Sequence, residues 1–226
     1  MKKQMMLFCV VMATTISLWA ETETVNGYTW KYRINGDSAE ISQDDRWHWI
    51  PCVEPKPEGF VKIPSSLGGK PVTIIGENAF QNCEKMTGVS IPKSVTEIGD
   101  HAFHGCGELR NVTIPNGVTS IGDEAFRCCY RLKKIIIPNG VASIGEEAFY
   151  NCGLSGVTIP SSVVGIGDQA FDCQGLKGVI LSKRFKNELC RIFGRSNPNV
   201  SFPDEHEVTI IHKENEERGS RNWYGW

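Results

Sequence analysis

Two histidines three residues apart, His101 and His104, are the side chains in this sequence best suited to hold a metal ion. Imidazole nitrogens bind divalent transition metals, but a site needs further Cys, His or carboxylate ligands at a compatible spacing. Both histidines occupy variable positions of a repeat and no Cys or acid pattern completes a site, and the pair His206 and His212 is no better supported. We therefore predict no metal site and no cofactor.

The sequence also lacks the short motifs that mark common catalytic sites. It contains no G-x-S-x-G nucleophile turn, no H-E-x-x-H zinc-protease motif, no phosphate-binding loop and no dinucleotide-binding fingerprint. We therefore predict that the protein is not an enzyme.

Acidic residues recur at regular spacing after an Ile-Gly pair, and two roles fit them. Either each carboxylate accepts amide hydrogens at the start of a turn, or the acids form a column that holds Ca²⁺. The sequence favours the first role, because the dense D-x-D-x-G spacing of calcium loops is absent. The acids are Glu77, Asp100, Asp123, Glu146 and Asp168.

The nine cysteines could suggest a disulfide framework. Five of them recur once per repeat, however, and side chains that point the same way from successive coils have the wrong orientation for a disulfide. We predict an inward ladder of thiols for these five, no pairing between Cys52 and Cys190, and the highest reactivity for Cys128. The ladder consists of Cys83, Cys106, Cys129, Cys152 and Cys173.

These spacings belong to a repeat of 22 or 23 residues that covers roughly half of the chain. Its unit reads V-x-x-I-G-[DE]-x-A-F-x-x-C-x-x-L-x-x-V-x-I-P-x-x. Such a period is the signature of stacked coils, in which each unit buries its apolar face only against its neighbours. The five copies occupy residues 72–94, 95–117, 118–140, 141–162 and 163–184.

Two parts of the unit predict local structure. The frame L-x-x-V-x-I predicts a short parallel strand that turns alternate side chains inward and ends at Pro. The step G-[DE]-x-A-F predicts a helical or 3₁₀ turn on the opposite side of the coil. The predicted repeat core consists of Ile98, Phe103, Cys106, Ile121, Phe126, Cys129, Ile144, Phe149 and Cys152.

The register V-x-x-I-G-x-x-A-F-x-x-C-x-x-L-x-x-V-x-I-P resembles the BspA-type leucine-rich repeat family. The resemblance implies an extracytoplasmic solenoid without catalytic activity and, for some members, adhesion to host or matrix proteins. We expect a repeat solenoid, a leucine-rich-repeat-like, right-handed stack of about five 22-23-residue coils. Parallel β-strands and short helical turns would build it, between a β-hairpin N-terminal cap and a helical C-terminal cap.

The first twenty residues predict a secretory signal peptide. They begin with Lys2 and Lys3, continue with an apolar stretch and reach small residues near Ala20. A lipoprotein signal at Cys9 is less well supported, because large residues precede that cysteine. No stretch approaches about 18 consecutive apolar residues. We therefore expect a secreted or extracytoplasmic protein, in the periplasm or at the cell surface, without a membrane span.

The charge balance does not favour nucleic acid as a partner. The full chain has a formal net charge of −2, and removal of Lys2 and Lys3 with the signal peptide makes the remainder more acidic. A surface that follows phosphates needs a basic patch, and only a local group of basic residues in one repeat is present.

The segments that flank the repeats predict two caps. Alternating Tyr28 and Trp30, followed by Asn-Gly-Asp, predict a β-hairpin. Phe185 and Leu189 lie at helical spacing and predict a helix that closes the array. The predicted organisation is a signal peptide at 1–20, an N-terminal cap at 21–62, the repeat array at 63–184, and a C-terminal cap helix and tail at 185–226.

A solenoid of this kind offers a surface, and three parts of it are candidates for binding. The outward strand positions are small and nearly uncharged, whereas one cap loop and one repeat turn carry aromatic or Arg side chains, which often dominate binding energy. The candidate binding residues are Trp47, Trp49, Arg127, Tyr130, Arg131, Asn111, Thr113, Lys134, Ile136 and Thr158.

The predicted function is therefore protein binding or adhesion by a secreted or cell-surface protein without catalysis. The partner would be a protein or glycan ligand on another surface. The alternative is a structural, envelope-associated scaffold with no dedicated ligand, which the small and uncharged strand surface favours.

Overall fold

The structure is a computed structural model that describes residues 20–42, 51–194 and 198–201. Within these residues the chain forms a β-solenoid of about six turns with parallel strands. This confirms the predicted repeat architecture and adds one turn to the five predicted. Several predictions lie outside the described residues: the signal peptide, Trp47 and Trp49, the pair His206 and His212, and the C-terminal tail.

The described residues contain sixteen short strands, numbered in chain order. They are β1 (Glu21–Val25), β2 (Tyr28–Asn35), β3 (Ser38–Ile41), β4 (Val53–Glu54), β5 (Gly59–Lys62), β6 (Ser66–Leu67), β7 (Lys70–Ile75), β8 (Met86–Ser90), β9 (Glu97–Ile98), β10 (Asn111–Thr113), β11 (Ser120–Ile121), β12 (Ser143–Ile144), β13 (Gly156–Thr158), β14 (Gly165–Ile166), β15 (Gly178–Ile180) and β16 (Asn199–Ser201).

The L-x-x-V-x-I segments build two parallel sheets on one side of the solenoid. The first sheet has the order β10-β8-β5, and the second has the order β13-β15-β16. Between them, residues 133–137 fill the equivalent position of one coil without regular strand pairing. The inward side chains of this segment, Ile135 and Ile137, are nevertheless buried like the Val and Ile of the neighbouring strands.

A second side carries the two-residue strands β9, β11, β12 and β14, which pair in parallel. Ser120 pairs with Ser143, and Ile121 with Ile144, so each coil repeats the register of the one before it. At the N-terminal end β3 joins this sheet through parallel pairing with β7. Because β2 and β3 form an antiparallel hairpin, the hairpin is attached directly to the first coil.

The G-[DE]-x-A-F segments form turns and not the predicted helical turns. In each copy the residue after the acid is left-handed, with φ between 50° and 57° at Asn78, His101, Glu124, Glu147 and Gln169. In consequence, the amides of His101 and Phe103 donate to carbonyls of the next coil, at 2.8 and 2.7 Å. Alternate amides, such as those of Ala102 and His104, bond within their own coil to Gly99 and His101, so no continuous helical ladder forms.

The Ile-Gly step that recurs in every copy has a steric cause in this stack. A Cβ atom on Gly122 would lie 2.6 Å from the amide nitrogen of Asp100 in the preceding coil. Real Cβ contacts are not that short, so only glycine lets the two coils approach closely enough to pair.

The core is a column of phenylalanine rings with apolar side chains around it. Neighbouring rings from Phe80 to Phe171 stack with centroids 5.0 to 5.3 Å apart and interplanar angles of 2° to 12°. Trp30 packs edge-on against Phe80 at one end, and Phe193 packs tilted against Phe171 at the other. The buried side chains include Ile98, Phe103, Cys106, Ile121, Phe126, Cys129, Ile144, Phe149 and Cys152.

The repeat cysteines are free, buried thiols that also connect coils. Cys106 donates from Sγ to the carbonyl of Phe80, and Cys129 donates in the same way to Phe103, at 3.2 and 3.3 Å. Cys152 and Cys173 repeat the contact with Phe126 and Phe149. A thiol at this position therefore fills a small apolar space and also satisfies a carbonyl.

The acid column accepts amide hydrogens, but from the next coil and not from a helix start. Oδ1 of Asp100 accepts from the amide of Asp123 at 2.8 Å, and Oδ1 of Asp123 accepts from Glu146 at 2.7 Å. These bonds give Asp100 and Asp123 a structural role. In the part of the chain that the structure describes, the column does not gather three metal-ligand side chains.

The C-terminal end closes the column with a 3₁₀ turn, Lys183–Phe185, and a five-residue helix, α1 (Leu189–Phe193). The helix replaces the turn of one further coil, because the amides of Gln169 and Phe171 donate to carbonyls of Arg191 and Ile192. Among the described residues, no helix has the length and apolar character needed to cross a membrane.

The left-handed backbone conformation of Gln169 predicts that the substitution Gln169→Asn stabilises the protein. Asn adopts a left-handed conformation at lower cost than Gln, so the free energy of unfolding should rise by about 0.5–1 kcal/mol. Urea denaturation measures this change. The matched control is Gln174→Asn, an exposed Gln outside the set of positive-φ residues, which should not gain stability. Equal gains in both variants would contradict the interpretation.

Burial also predicts which thiols react. Desolvation raises the pKa of Cys52 and Cys83 to about 12, and it raises the pKa of Cys106 and Cys129 as well. Since the thiolate is the reactive form, Ellman's reagent at pH 8 should label only Cys128 and Cys190 quickly in the chain that starts at residue 21. The six buried thiols should react only after unfolding in urea. Cys128→Ser should remove one fast equivalent, and rapid labelling of more than two thiols would contradict the buried ladder.

Candidate functional site

The outer surface of the long strands, here called the strand face, is the broadest regular surface of the solenoid. Register places its residues in two rows, because Phe60 pairs with Gly88 and Gly88 with Asn111, while Gly178 pairs with Gly156 and Asn199. The first row is Phe60, Gly88, Asn111, Lys134, Gly156, Gly178 and Asn199. The second row is Lys62, Ser90, Thr113, Ile136, Thr158 and Ile180.

Apolar side chains concentrate on the strand face. Five large hydrophobic residues are exposed among the described residues, and three of them lie here: Phe60, Ile136 and Ile180, with 64%, 82% and 41% of their surface accessible. Exposed apolar groups that share one face are typical of surfaces that bind another molecule. The other two lie outside the two rows, Tyr130 on a turn and Val164 directly before β14.

Phe60 is the aromatic residue of the strand face that the sequence interpretation missed. Its ring covers Gly88, where a Cβ atom would lie 2.8 Å from a ring carbon. Phe60 was assigned to the N-terminal cap because it precedes the first complete copy of the repeat. Its own segment, F-V-K-I-P at residues 60–64, contains the V-x-I-P ending of the unit and was the signal that could have identified it.

A shallow depression of about 930 Å³ lies across the second half of the strand face. Gly156 and Gly178 are adjacent in register and leave its floor without side chains. Ile136 and Ile180 line it together with Thr158. The result is an apolar groove whose floor offers mainly backbone and small polar groups.

Basic side chains lie next to Ile136. A second depression of about 340 Å³ is lined by Arg110, Asn111, Arg131, Lys133 and Lys134. Glu108 accepts a hydrogen bond from Arg110 at 2.6 Å and lies 3.4 Å from Arg131, and the bond from Arg110 lowers the pKa of Glu108. Within the described residues neither Lys133 nor Lys134 has an ion pair, so these two lysines supply the uncompensated charge.

Arg127 does not belong to the strand face. Its guanidinium pairs with Glu124 at 3.4 Å and with Glu147, and it lies over the ring of Tyr150 at 4.9 Å. These contacts hold it on the turn side as a link between coils.

Tyr130 is exposed on the same turn, where a hydrogen bond with Cys128 raises the pKa of its phenol.

Of the candidate residues from the sequence, the fold brings together five on the strand face, with Arg131 at its edge. The five are Asn111, Thr113, Lys134, Ile136 and Thr158. Arg127 and Tyr130 lie on the turn side. Trp47 and Trp49 lie outside the described residues.

One group of potential metal ligands occurs in the described part of the chain. It consists of His101, His104 and Glu124, with one donor atom of each within 4.8 Å of the others. The group lies on the turn side and not in the two rows of the strand face. The sequence interpretation missed Glu124, because this residue comes from the coil that follows the two histidines.

Comparison with known proteins places these features in a family. The chain matches the model of the BspA type leucine rich repeat region in six copies over residues 61–209. No curated protein matches the chain. A solved leucine-rich repeat protein of T. pallidum is 35% identical, with a TM-score of 0.60, over 67% of this chain and 68% of that chain. A leucine-rich repeat protein from Bacteroides ovatus is 36% identical, with a TM-score of 0.56, over 66% of this chain and 39% of that chain.

The matched family is defined by a repeat that builds a scaffold, and no catalytic family is indicated. The match includes the degenerate coil that ends in β16, which agrees with the sixth turn of the structure. Because the match spans more than half of the sequence, and the stacked coils follow the same register, the chain belongs to the BspA-type leucine-rich repeat family.

Proposed function

We propose that the protein is a secreted or cell-surface binding module that holds a protein ligand on its strand face and carries out no catalysis. The observation that supports this most directly is the shared exposure of Phe60, Ile136 and Ile180 on one face of a regular scaffold. Burial of apolar surface on a partner contributes about 25 cal/mol per Å² before the costs of association. Three such side chains on one regular face can therefore anchor a partner.

The surroundings of these anchors suggest what the partner looks like. Lys133 and Lys134 place positive charge beside Ile136, so an acidic group next to an apolar one on the partner would be complementary. Gly156 and Gly178 leave the floor of the groove flat, which suits an extended segment or another flat protein surface. A glycan is the second candidate ligand, because Asn111, Thr113 and Thr158 are exposed and polar.

The proposed location depends on the first twenty residues of the sequence. Their basic start, apolar stretch and small residues fit export across a membrane, to the periplasm or to the cell surface. Leucine-rich repeat proteins generally bind other proteins, and adhesion to another surface is the form of binding that an exported scaffold would serve.

The strand face predicts that Ile136→Ser weakens binding at least tenfold, which corresponds to about 1.4 kcal/mol. Ile136 is largely exposed in the free protein, so its loss should leave stability nearly unchanged and affect the complex. The purified chain from residue 21 would be tested by surface plasmon resonance against immobilised extracellular-matrix proteins and a glycan array, and the variant against each ligand that binds saturably.

Val164→Ser is the matched control, because Val164 is 65% exposed but lies away from the strand face. Its affinity should remain within twofold of the parent chain. A double variant, Trp47→Ala with Trp49→Ala, tests the cap loop as the competing surface. Equal losses in Ile136→Ser and Val164→Ser, or loss only in the tryptophan variant, would exclude the strand face. The absence of any saturable ligand would favour the structural scaffold instead.

A further inference from the structure

Three side chains from two consecutive coils converge on the turn side of the solenoid. Nε2 of His101 lies 3.5 Å from Oε2 of Glu124, and Nδ1 of His104 lies 3.3 Å from the same oxygen. The two imidazole rings are stacked, with centroids 5.6 Å apart and an interplanar angle of 16°. Two imidazole nitrogens and one carboxylate oxygen therefore face one small region.

The repeat itself produces this convergence. His101 and Glu124 occupy the same left-handed position in neighbouring coils, with φ of 54° and 52°. The amide of His101 donates to the carbonyl of Asp123, which fixes the two coils against each other at this point. His104 follows three residues later and turns back beside His101. Neither histidine has an acidic partner within its own repeat, so only stacking of coils completes the group.

The distances agree with those of a metal site. Zinc binds imidazole nitrogen and carboxylate oxygen at about 2.0–2.2 Å, and in a tetrahedral site this places neighbouring donors about 3.3–3.5 Å apart. The separations from Glu124 to the two histidines, 3.5 and 3.3 Å, lie in this range. Nδ1 of His104 is buried and without a hydrogen-bond partner although it lies 3.3 Å from this oxygen, so this pair does not form a hydrogen bond.

Unpaired polar atoms are concentrated at this place. Five buried side-chain nitrogen or oxygen atoms among the described residues have no hydrogen-bond partner, and three of them belong to His101, His104 and Gln81. Gln81 occupies the position of His104 in the preceding coil. Buried polar atoms are normally satisfied, so the unpaired Nδ1 of His104, which faces Glu124, points to a ligand.

The second carboxylate oxygen of Glu124, Oε1, is contacted by Arg127. Nη1 of Arg127 lies 3.4 Å from Oε1, which leaves Oε2 directed at the histidines. Groups that orient a ligating carboxylate in this way commonly surround metal sites. The positive charge of Arg127 also opposes a cation, so the site should bind more weakly than a site of the same ligands without the arginine.

We propose that His101, His104 and Glu124 bind a divalent transition-metal ion of the Zn²⁺ class. Imidazole ligands favour zinc, copper and nickel over magnesium or calcium. The three side chains are each between 26% and 32% exposed, so an ion can reach them from solvent. With three protein ligands, a tetrahedral ion keeps one position for water or for a donor from another molecule.

The test is a Zn²⁺ titration of the chain from residue 21, prepared without a histidine tag, stripped with a chelator and dialysed. Competition with a chromophoric zinc chelator measures both the number of bound ions and their affinity. His101→Asn and Glu124→Gln should each weaken binding at least tenfold or remove one equivalent of Zn²⁺. His101→Asn should fold normally, because Asn favours the left-handed conformation that this position adopts.

Glu147→Gln is the matched control, because Glu147 occupies the position of Glu124 in the next coil and also pairs with Arg127. It should bind Zn²⁺ like the parent chain, and so should Cys128→Ser, which tests ligation by the nearby thiol. Circular dichroism verifies the fold of each variant. The proposal is wrong if the parent chain binds no Zn²⁺, or if binding is the same in His101→Asn, His104→Gln and Glu124→Gln, which would assign the ion to other residues.

Discussion

Every turn of this solenoid must fit against a near copy of itself about 5 Å away, and that constraint determines the rest of the structure. The phenylalanine rings stack at 5.0 to 5.3 Å because the backbones that carry them are hydrogen-bonded at the strand spacing. Glycine follows isoleucine in each Ile-Gly step because a Cβ atom would clash with the neighbouring coil. The thiols of four copies reach a carbonyl one coil away for the same reason. Apolar burial and backbone pairing thus support one another at every step of the array.

The same constraint explains where the sequence was informative. A fixed period and an alternating V-x-I frame were sufficient to predict parallel strands, an inward cysteine column and phenylalanines in the core. They were insufficient for G-[DE]-x-A-F, which has helical composition but uses the amides of His101 and Phe103 to bond the next coil. Left-handed Glu and Gln residues carry no sequence signal, since these residue types rarely adopt that conformation. The end coils were missed because Phe60 and Phe193 stand in copies that have lost most of the repeat pattern.

Functional groups are harder to identify than the core in such a chain, because they occur at positions that the repeat leaves free. Ile136 could be assigned to the outer surface from its place between two inward residues. Its association with Phe60 and Ile180 required the register of the sheets. Likewise, the histidine pair is visible in the sequence, but its acidic partner lies one full repeat away. Residues that are 23 positions apart in the sequence are neighbours in this solenoid. A search for motifs with short spacing therefore misses sites whose residues come from successive coils.

The third repeat copy carries most of the unusual side chains, and its place in the middle of the stack explains why it can. Glu124, Arg127, Lys134 and Ile136 all belong to residues 118–140, and both proposed sites use this copy. Neighbouring coils hold its turn by hydrogen bonds on each side, as in the bonds from Gly105 to Arg127 and from Phe126 to Ala148. The segment 133–137 lacks regular strand pairing, yet Ile135 and Ile137 keep it attached to the core. A coil that is hydrogen-bonded on both sides can carry charged and apolar groups on its outer surface at little cost to stability. Binding residues are therefore accommodated most easily in the coils at the centre of the array.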